Sequence, residues 1–342
     1  MDKDLGRRVT PSLTFSRKNV DTILSDYLES VSYTDVASGS SDTLSIKLQN
    51  INEKWIGAWY PKKGNMVSGK LLFKNWANDG KTKALSCGSF ILEEIKTEMR
   101  PKTITLSCLS APLKESFKTR ERNKTWEGVT LKQIAKEICK RYSLKLSYSG
   151  AEIKIDKLEQ GEADSSFLMN LCDSYGFGMK IYRRKIVIYG IIAMEKKKAI
   201  ATLSRSAFID ATITDGIYGT YTGARVSYRP PDADTDISVY VGYKGEKAKG
   251  SRVLKVNESC SSEAEARRKA ASAVNKSNMK DTTLSGSLYP NPRICAGVCV
   301  RLDDTFGKLS GKYFIDKVTW EVGSGATTQK IEAHKVKKKV KA

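Results

Sequence analysis

The chain has 342 residues, with 59 Lys and Arg against 38 Asp and Glu, one histidine and a formal net charge of +21. Apolar residues make up 40%, enough for ordinary hydrophobic cores, and the length suggests two or three domains of roughly 100–200 residues. Its longest apolar run, "IVIYGIIAM" at residues 186–194, is far short of the about 20 residues of a membrane-spanning helix, and "MDKDLGRRVT" lacks the apolar segment of a signal peptide. The expectation is a soluble protein without a membrane partner, made in the cytoplasm, whose charge calls for an acidic partner.

From Val9 to Leu109 the pattern reads as β. "TLSIKLQ" places Leu44, Ile46 and Leu48 on one face with polar residues between them, the period of a half-buried strand. "KLLFKNW", "SFILEEI" and "TITLSCLS" read as further strands, punctuated by Gly64, Gly69, Gly80 and Gly88. Short strands at this spacing predict a small barrel or sandwich. A polar, basic stretch at residues 111–129 reads as a connection.

Thr130 then opens a helix with Gln133 in a capping box. Leu131, Ile134, Ala135, Ile138, Cys139 and Tyr142 form its apolar stripe. After two short strands, "ADSSFLMNLCDSYG" predicts a second helix, with Asp164 or Ser165 as N-cap. Phe167, Leu168, Leu171, Cys172 and Tyr175 share its inner face, and Gly176 ends it in a left-handed conformation. "MKIYRRKIVIY" follows as a β-hairpin, with Arg184 and Lys185 near its turn.

Beyond Ala199 the pattern is again β. "ARVSYR", "ISVYVGYK" and "SRVLKV" are predicted strands, with a turn in "RPPDADTD". One helix interrupts them, with Ser262 and Glu265 as capping box and Ala264, Ala270, Ala271 and Val274 as a thin packing face. "ICAGVCVRL", "GKYFIDKVTWEV" and "TTQKIEAHKV" are the last predicted strands, and the chain ends in "KVKKKVKA".

No reaction centre assembles. The seven cysteines are odd in number and contain no C-x-x-C, against a disulfide framework or a thiolate zinc site; all seven read as structural. A single histidine, His334, excludes His-pair metal sites and disfavours a Ser-His-Asp triad. Glu162 and Asp164 could be a glycosidase carboxylate pair, but their i, i+2 spacing points them apart and Asp164 has a cap to make. Ser165 and Ser166 lack a histidine base and a G-x-S-x-G elbow. Asp303 and Asp304 read as a turn, and no P-loop occurs. No cofactor and no metal are expected.

Two segments could meet a partner. Trp55 and Trp59 would share a face on a short helical turn, covering a barrel end or anchoring an interface. Arg120, Arg122 and Lys124 with Trp126 could stack single-stranded nucleic acid, or form a docking segment at a domain junction, the reading favoured here. The lysine tail reads as a solvated, mobile terminus rather than a phosphate-binding arm.

Seven stretches in order resemble the phage late control protein D family, the baseplate hub of contractile tails. They are "SSDTLSIKLQN", "WYPKKGN", "CGSFILEEI", "KTWEGVTLKQIAKEICKRYSLKLSY", "EADSSFLMNLCDSYGFGMKIY", "SEAEARRKAASAV" and "GKYFIDKVTWEVGSGATTQ". Asp164 to Leu168 is the most specific piece and also resembles the hub half of VgrG spike proteins. The resemblance implies an α+β, β-rich fold: two small, related β-barrels (residues 1–110 and 196–335) flanking an inserted α/β domain (111–195), with a basic tail (336–342). It implies a structural, non-enzymatic homotrimer, a symmetry adaptor between the hexameric tail tube and the trimeric central spike. The chain shows no spike-like extension, so the spike is expected as a separate protein. Tape measure and baseplate wedge proteins are further expected partners. The location implied is the tail baseplate of a virion or a phage-tail-like bacteriocin, assembled in the bacterial cytoplasm. Trp55, Trp59, Arg120, Arg122, Lys124 and Trp126 are the candidate partner contacts. The alternative is a basic nucleic-acid-binding protein, although no specific nucleic acid is expected.

Overall fold

The computed structural model describes residues 6–76, 80–110, 116–229, 236–243, 252–323 and 327–342. The turn expected in "RPPDADTD" and the start of the polar connection, residues 111–115, lie outside the described residues. No helix among the described residues is long and apolar enough to cross a membrane.

The first segment holds β1 (Arg8–Phe15), β2 (Lys18–Asn19), α1 (Asp21–Leu24), β3 (Leu28–Val36), β4 (Thr43–Gln49), β5 (Met66–Lys74), β6 (Thr82–Met99) and β7 (Lys102–Leu109). Period-2 alternation drives it. In β4, Leu44, Ile46 and Leu48 are buried while Thr43, Ser45 and Lys47 face outward, as a strand with one face on the core must.

The middle segment holds α2 (Ser116–Thr119), β8 (Lys124–Thr130), α3 (Leu131–Arg141), β9 (Lys145–Ser149), β10 (Lys154–Gln160), α4 (Asp164–Ser174), β11 (Phe177–Tyr182), β12 (Lys185–Gly190) and α5 (Ile191–Lys196). The capping box on α3 forms in both directions: Gln133 N donates to Thr130 Oγ1 and Thr130 N donates to Gln133 Oε1. The α3 stripe is buried throughout, in a core shared with Phe167, Leu168, Leu171, Cys172 and β11–β12. Gly176 takes φ 75° just beyond α4, where a Cβ would be strained. β11 and β12 join through a two-residue turn at Arg183 and Arg184, with φ of 47° and 59°. Such turns match the twist of the strands, yet a left-handed backbone costs about 1–2 kcal/mol for a residue with a Cβ.

The last segment holds β13 (Thr202–Leu203), β14 (Phe208–Asp215), β15 (Gly223–Tyr228), β16 (Ile237–Gly242), β17 (Val253–Val256), α6 (Glu263–Ser277), β18 (Thr282–Leu288), β19 (Cys299–Leu302), β20 (Gly311–Gly323) and β21 (Thr328–Lys335). β15–β17 do not join the neighbouring strands. They make a separate sheet in the order β16-β15-β17, and α6 packs on it through Ala266, Ala270 and Val274. Ala264, expected on that face, is exposed and Ala266 takes its place. Ser262 accepts from Glu265 N as expected, but the Glu265 carboxylate reaches Ser261 N rather than the cap residue. "ICAGVCVRL" is strand only from Cys299 onward, because Gly297 turns the chain with φ 84°.

The outer segments meet in one sheet. Its order is β14-β18-β21-β20-β3-β4-β7-β6-β5-β1-β2, with β19 on β20 and β13 on β19. The seam is β20 on β3, paired from Lys317↔Val36 to Gly323↔Ser30. One core lies beneath both segments and includes Leu44, Phe73 and Phe90 from the first and Tyr313, Ile315 and Trp320 from the last. The fold is thus β-rich α+β, with the expected outer β segments sharing a sheet and a core.

Trp320 lies across the seam, 1% exposed, with its ring 5.4 Å edge-on to Phe73. Trp320→Ala would cost about 3–5 kcal/mol. Urea unfolding followed by fluorescence and circular dichroism should show this as a lower midpoint; an unchanged midpoint would mean the segments do not share a core in solution.

Candidate interaction surfaces

The loop after β4 is held by Asn50, whose Oδ1 accepts from Trp55 N at 3.1 Å. This closes a 3₁₀ turn at Lys54–Ile56 and presents an aromatic cluster. Trp55 and Trp59 lie edge to face at 5.5 Å, each also against Tyr27, and Lys54 Nζ sits 4.8 Å from the centre of the Trp59 ring. The two tryptophans thus meet as expected but differ in role. Trp55 belongs to the main core, whereas Trp59 is 38% exposed. Ile51, Ile56 and Tyr60 are exposed in the same loop.

The structure does not bring Arg120, Arg122, Lys124 and Trp126 to one open face. Arg120 is exposed just beyond α2. Arg122 turns inward to Asp164. Trp126 is 3% exposed, donates Nε1 to Gln160 Oε1 at 3.2 Å and stacks on Phe167. Lys124 lies over the outer side of that ring at 3.7 Å and pairs with Glu137.

Asp164 is the first residue of α4, not its N-cap. Ala163 holds the cap position and no side chain caps the helix. The carboxylate is fully buried and accepts from Arg122 Nε at 2.9 Å, Arg141 Nη1 at 2.6 and 2.8 Å, Tyr142 Oη at 2.6 Å and Gln160 Nε2 at 2.8 Å. Charged donors at this distance outcompete backbone amides for the same oxygens. Burial pushes the carboxyl's pKa up, but the hydrogen bonds from Tyr142, Arg141 and Gln160 outweigh it and hold it below the ordinary value. Glu162 instead accepts from Asn170 at the surface. The two acids thus have separate partners. Asp303 accepts from Thr305 N and starts a 3₁₀ segment, the turn expected there.

The lysine tail is docked. Val340 is buried against α6, where it exchanges two hydrogen bonds with Asn275. Lys339 pairs with Glu195 at 2.9 Å and Lys337 with Asp281 at 2.8 Å. An apolar anchor flanked by ion pairs explains why this end is not the solvated terminus expected. Beside it, His334 is buried between Asp316, at 2.8 Å, and Glu195, at 3.0 Å. Burial pulls its pKa down, but the two carboxylates override this and raise it to about 9.

The sheet edge at β14 is the exposed surface that the sequence reading missed. Among the described residues β14 pairs on one side only, with β18. It is open on both faces: only Phe208 and Ile213 are half-buried, and Ile209 is 53% exposed. Ile217 and Tyr218 follow it at 69% and 97% exposure, and Tyr289 is also exposed just past β18. The β-branched run in "FIDATITD" was the available signal. Among the described residues no group of three or more His, Cys, Asp or Glu is placed to hold a metal ion.

No family profile matches the sequence. In three dimensions the chain is similar to the 43 kDa tail protein of prophage MuSo2 from Shewanella oneidensis, with a TM-score of 0.71, 14% identity and coverage of 96% of this chain and 98% of that one. It is also similar to a tail protein from Neisseria meningitidis, with a TM-score of 0.68, 12% identity and 96% coverage of each chain. An E. coli protein described as a component of the type VI secretion system, with structural similarity to T4 bacteriophage tail proteins, gives a TM-score of 0.57 at 11% identity, covering 91% and 74%. The fold is therefore that of phage tail proteins and their type VI secretion counterparts. In sequence the chain resembles a baseplate hub, as the late control protein D motifs anticipated. It is 24% identical over 237 residues to the "Probable baseplate hub protein" of Escherichia phage 186, an alignment covering 67% of this chain and 58% of that relative, under two thirds of its length.

Asp164→Asn would leave two guanidinium groups facing a neutral amide. The expected loss is roughly 3–5 kcal/mol near neutral pH, as for a broken buried ion pair. A depressed carboxyl pKa contributes stability above its unfolded value of about 3.9 that is lost as pH falls through the folded value. Chemical denaturation from pH 7 to pH 2 should therefore show the variant's deficit shrinking in acid. For His334 the sign is opposite. Its raised pKa gives stability that is complete below about 6.5 and lost as pH rises through about 9. The melting-temperature deficit of His334→Gln should accordingly shrink between pH 7 and pH 10.

Proposed function

We propose that the chain is the baseplate hub of a contractile tail, in a phage virion or a phage-tail-like bacteriocin. In this reading it acts as a homotrimeric symmetry adaptor between the hexameric tail tube and the trimeric spike. The observation that carries it is β14: an edge strand open on both faces and followed by Ile217 and Tyr218 in solvent. A bare edge leaves a row of backbone donors and acceptors for another chain to pair, and the apolar residues beside it would be covered by the same contact. Head-to-tail contacts that close after three copies make a ring, with interfaces expected to exceed about 1,600 Å².

The two halves of the sheet support the six-fold side of the proposal. β1–β7 lie on one side of the β3–β20 seam, and β13, β14 and β18–β21 on the other. We read them as the two small, related barrels of a hub, so three chains would offer six similar units to a hexameric tube. The likeness to phage tail proteins and to the hub of phage 186 favours the same reading. The spike, tape measure and wedge proteins would be separate partners. No catalytic step is assigned, and the place of action would be the tail baseplate. Trp59 and Arg120 are the exposed members of the candidate contact set. The nucleic-acid alternative draws on the net charge, while Trp126, its stacking residue, is buried.

Light scattering after gel filtration tests the ring, and the expected mass is three times the 37.9 kDa of one chain. The double variant Ile217→Asp, Tyr218→Asp alters two exposed side chains, so its monomer stability should stay within about 0.5 kcal/mol of wild type while the trimer dissociates. A wild-type chain that remains monomeric even with tube and spike proteins present would overturn the hub reading.

A further inference from the structure

Two ranks on the outer face of β1, β5 and β6 carry short hydroxyl side chains and one lysine. Thr14, Ser68 and Ser89 stand in one rank across the three strands, and Ser12, Lys70 and Ser86 in the next. Between the ranks Gly69 faces Gly88, and the ladder shifts register there. Apart from Lys70, the side chains of these two ranks are short hydroxyls, so another backbone can approach the floor beside the lysine.

The β11–β12 hairpin overhangs the floor. Tyr182 Oη donates to Ser86 O at 3.1 Å. The Tyr182 ring lies over Gly88, where a Cβ would come within 3.2 Å of it. These contacts hold the hairpin tip, Arg183 and Arg184, at the rim of an open groove of about 360 Å³. Among the described residues neither arginine nor Lys70 has an ion-pair partner; Arg183 rests on the Tyr182 ring at 5.3 Å. Asp21, which touches the floor at Ser12, is already engaged by Ser12 Oγ, Leu13 N and Asn19 Nδ2.

The choice of residues at the tip is informative. Both turn positions are left-handed, and Asn-Gly takes that conformation at least cost. The sequence places arginine at both, so the guanidinium groups are what the tip presents. Strained backbone at an exposed tip points to function. Three cations over a floor of hydroxyls match carboxylates, which guanidinium forks bind in bidentate fashion. Tyr182, the aromatic ring beside the groove, is already packed against Gly88 and Arg183, which leaves little free ring face for a nucleic-acid base to stack on.

We propose that this groove is a docking site for an extended, acidic segment of a partner protein. The proposal rests on the groove itself and not on the trimer, so either can fail alone. The test uses the full chain and fluorescence anisotropy with a labelled peptide of alternating Asp and Ser, alongside a labelled oligothymidylate. Wild type should bind the peptide saturably and release it with added salt. Arg183→Asn with Arg184→Gly should weaken peptide binding by about tenfold or more, with a melting temperature equal to or above wild type because the turn is relieved. Lys70→Ser should weaken it in the same direction without touching the turn. The control Lys132→Gln with Lys136→Gln removes as much charge from the exposed side of α3 and should leave binding near wild type. Peptide affinity unchanged in the turn variant, or reduced equally in the control, would overturn the proposal. So would tighter binding of the oligothymidylate that is lost in the turn variant, because the ligand would then be nucleic acid.

Discussion

The pairing of β3 with β20 is the contact on which the remaining geometry depends. It joins strands from opposite ends of the chain, in register from Lys317↔Val36 to Gly323↔Ser30, and places Tyr33, Phe73, Phe90 and Trp320 in one core. Residues between these strands must leave the sheet and return to it. The α/β unit around α3 and α4 and the smaller unit around α6 are two such excursions, each closed over its own apolar cluster.

The excursions are fastened to the sheet by polar contacts. Lys180 on β11 reaches Asp35 at 2.6 Å and Asp42 at 3.2 Å, at the end of β3 and just before β4. Tyr189 Oη donates to Ala37 O, and Ser110 Oγ to Ile181 O. Asp42 pays for its burial: desolvation raises its pKa to about 6 despite Lys180, and its Oδ2 is buried without a hydrogen-bond partner among the described residues. Between α4 and α6 the same device recurs, with Tyr175 donating to Glu265, which Lys269 also neutralises. Burial there pushes the Glu265 carboxyl up, but the hydrogen bonds from Tyr175, Ser261 and Lys269 pull it down to about 2. Apolar surface builds each unit, and directional charge–dipole contacts fix how the units sit, because hydrophobic burial alone does not specify orientation.

Local structure was legible in the sequence where a short-range rule applied without competition. The alternation in β4, the stripe and capping box of α3, the left-handed Gly176 and the hairpin after it all follow from neighbours in the chain. Asp164 was misread because its side chain obeys distant residues: Arg122, Arg141, Tyr142 and Gln160 reach it from three other elements or their flanks. The tail was misread for the same reason, since the groups that hold it, Asn275, Glu195 and Asp281, are far away in sequence. The seam itself and the separate sheet around β15 are long-range pairings, and period-2 patterning names strands without naming their partners. The β-branched run in "FIDATITD" could name β14 as a strand, but its place at the edge of the sheet is likewise a long-range fact.

The seven thiols are distributed so that each packing unit holds its own. Cys87 and Cys108 lie in the main core, Cys139 and Cys172 in the α/β unit, Cys260 beside α6, Cys299 on β19 against the carbonyls of Met194 and Glu195 in α5, and Cys295 half-buried in the loop before β19. Burial raises the pKa of all seven, to about 12 for Cys108 and about 11 for Cys139 and Cys260. A shielded, protonated sulfur alkylates slowly until its surroundings open. The six buried thiols are therefore native chronometers spread over the packing units, from which the order of local unfolding can be read by mass spectrometry without adding a probe.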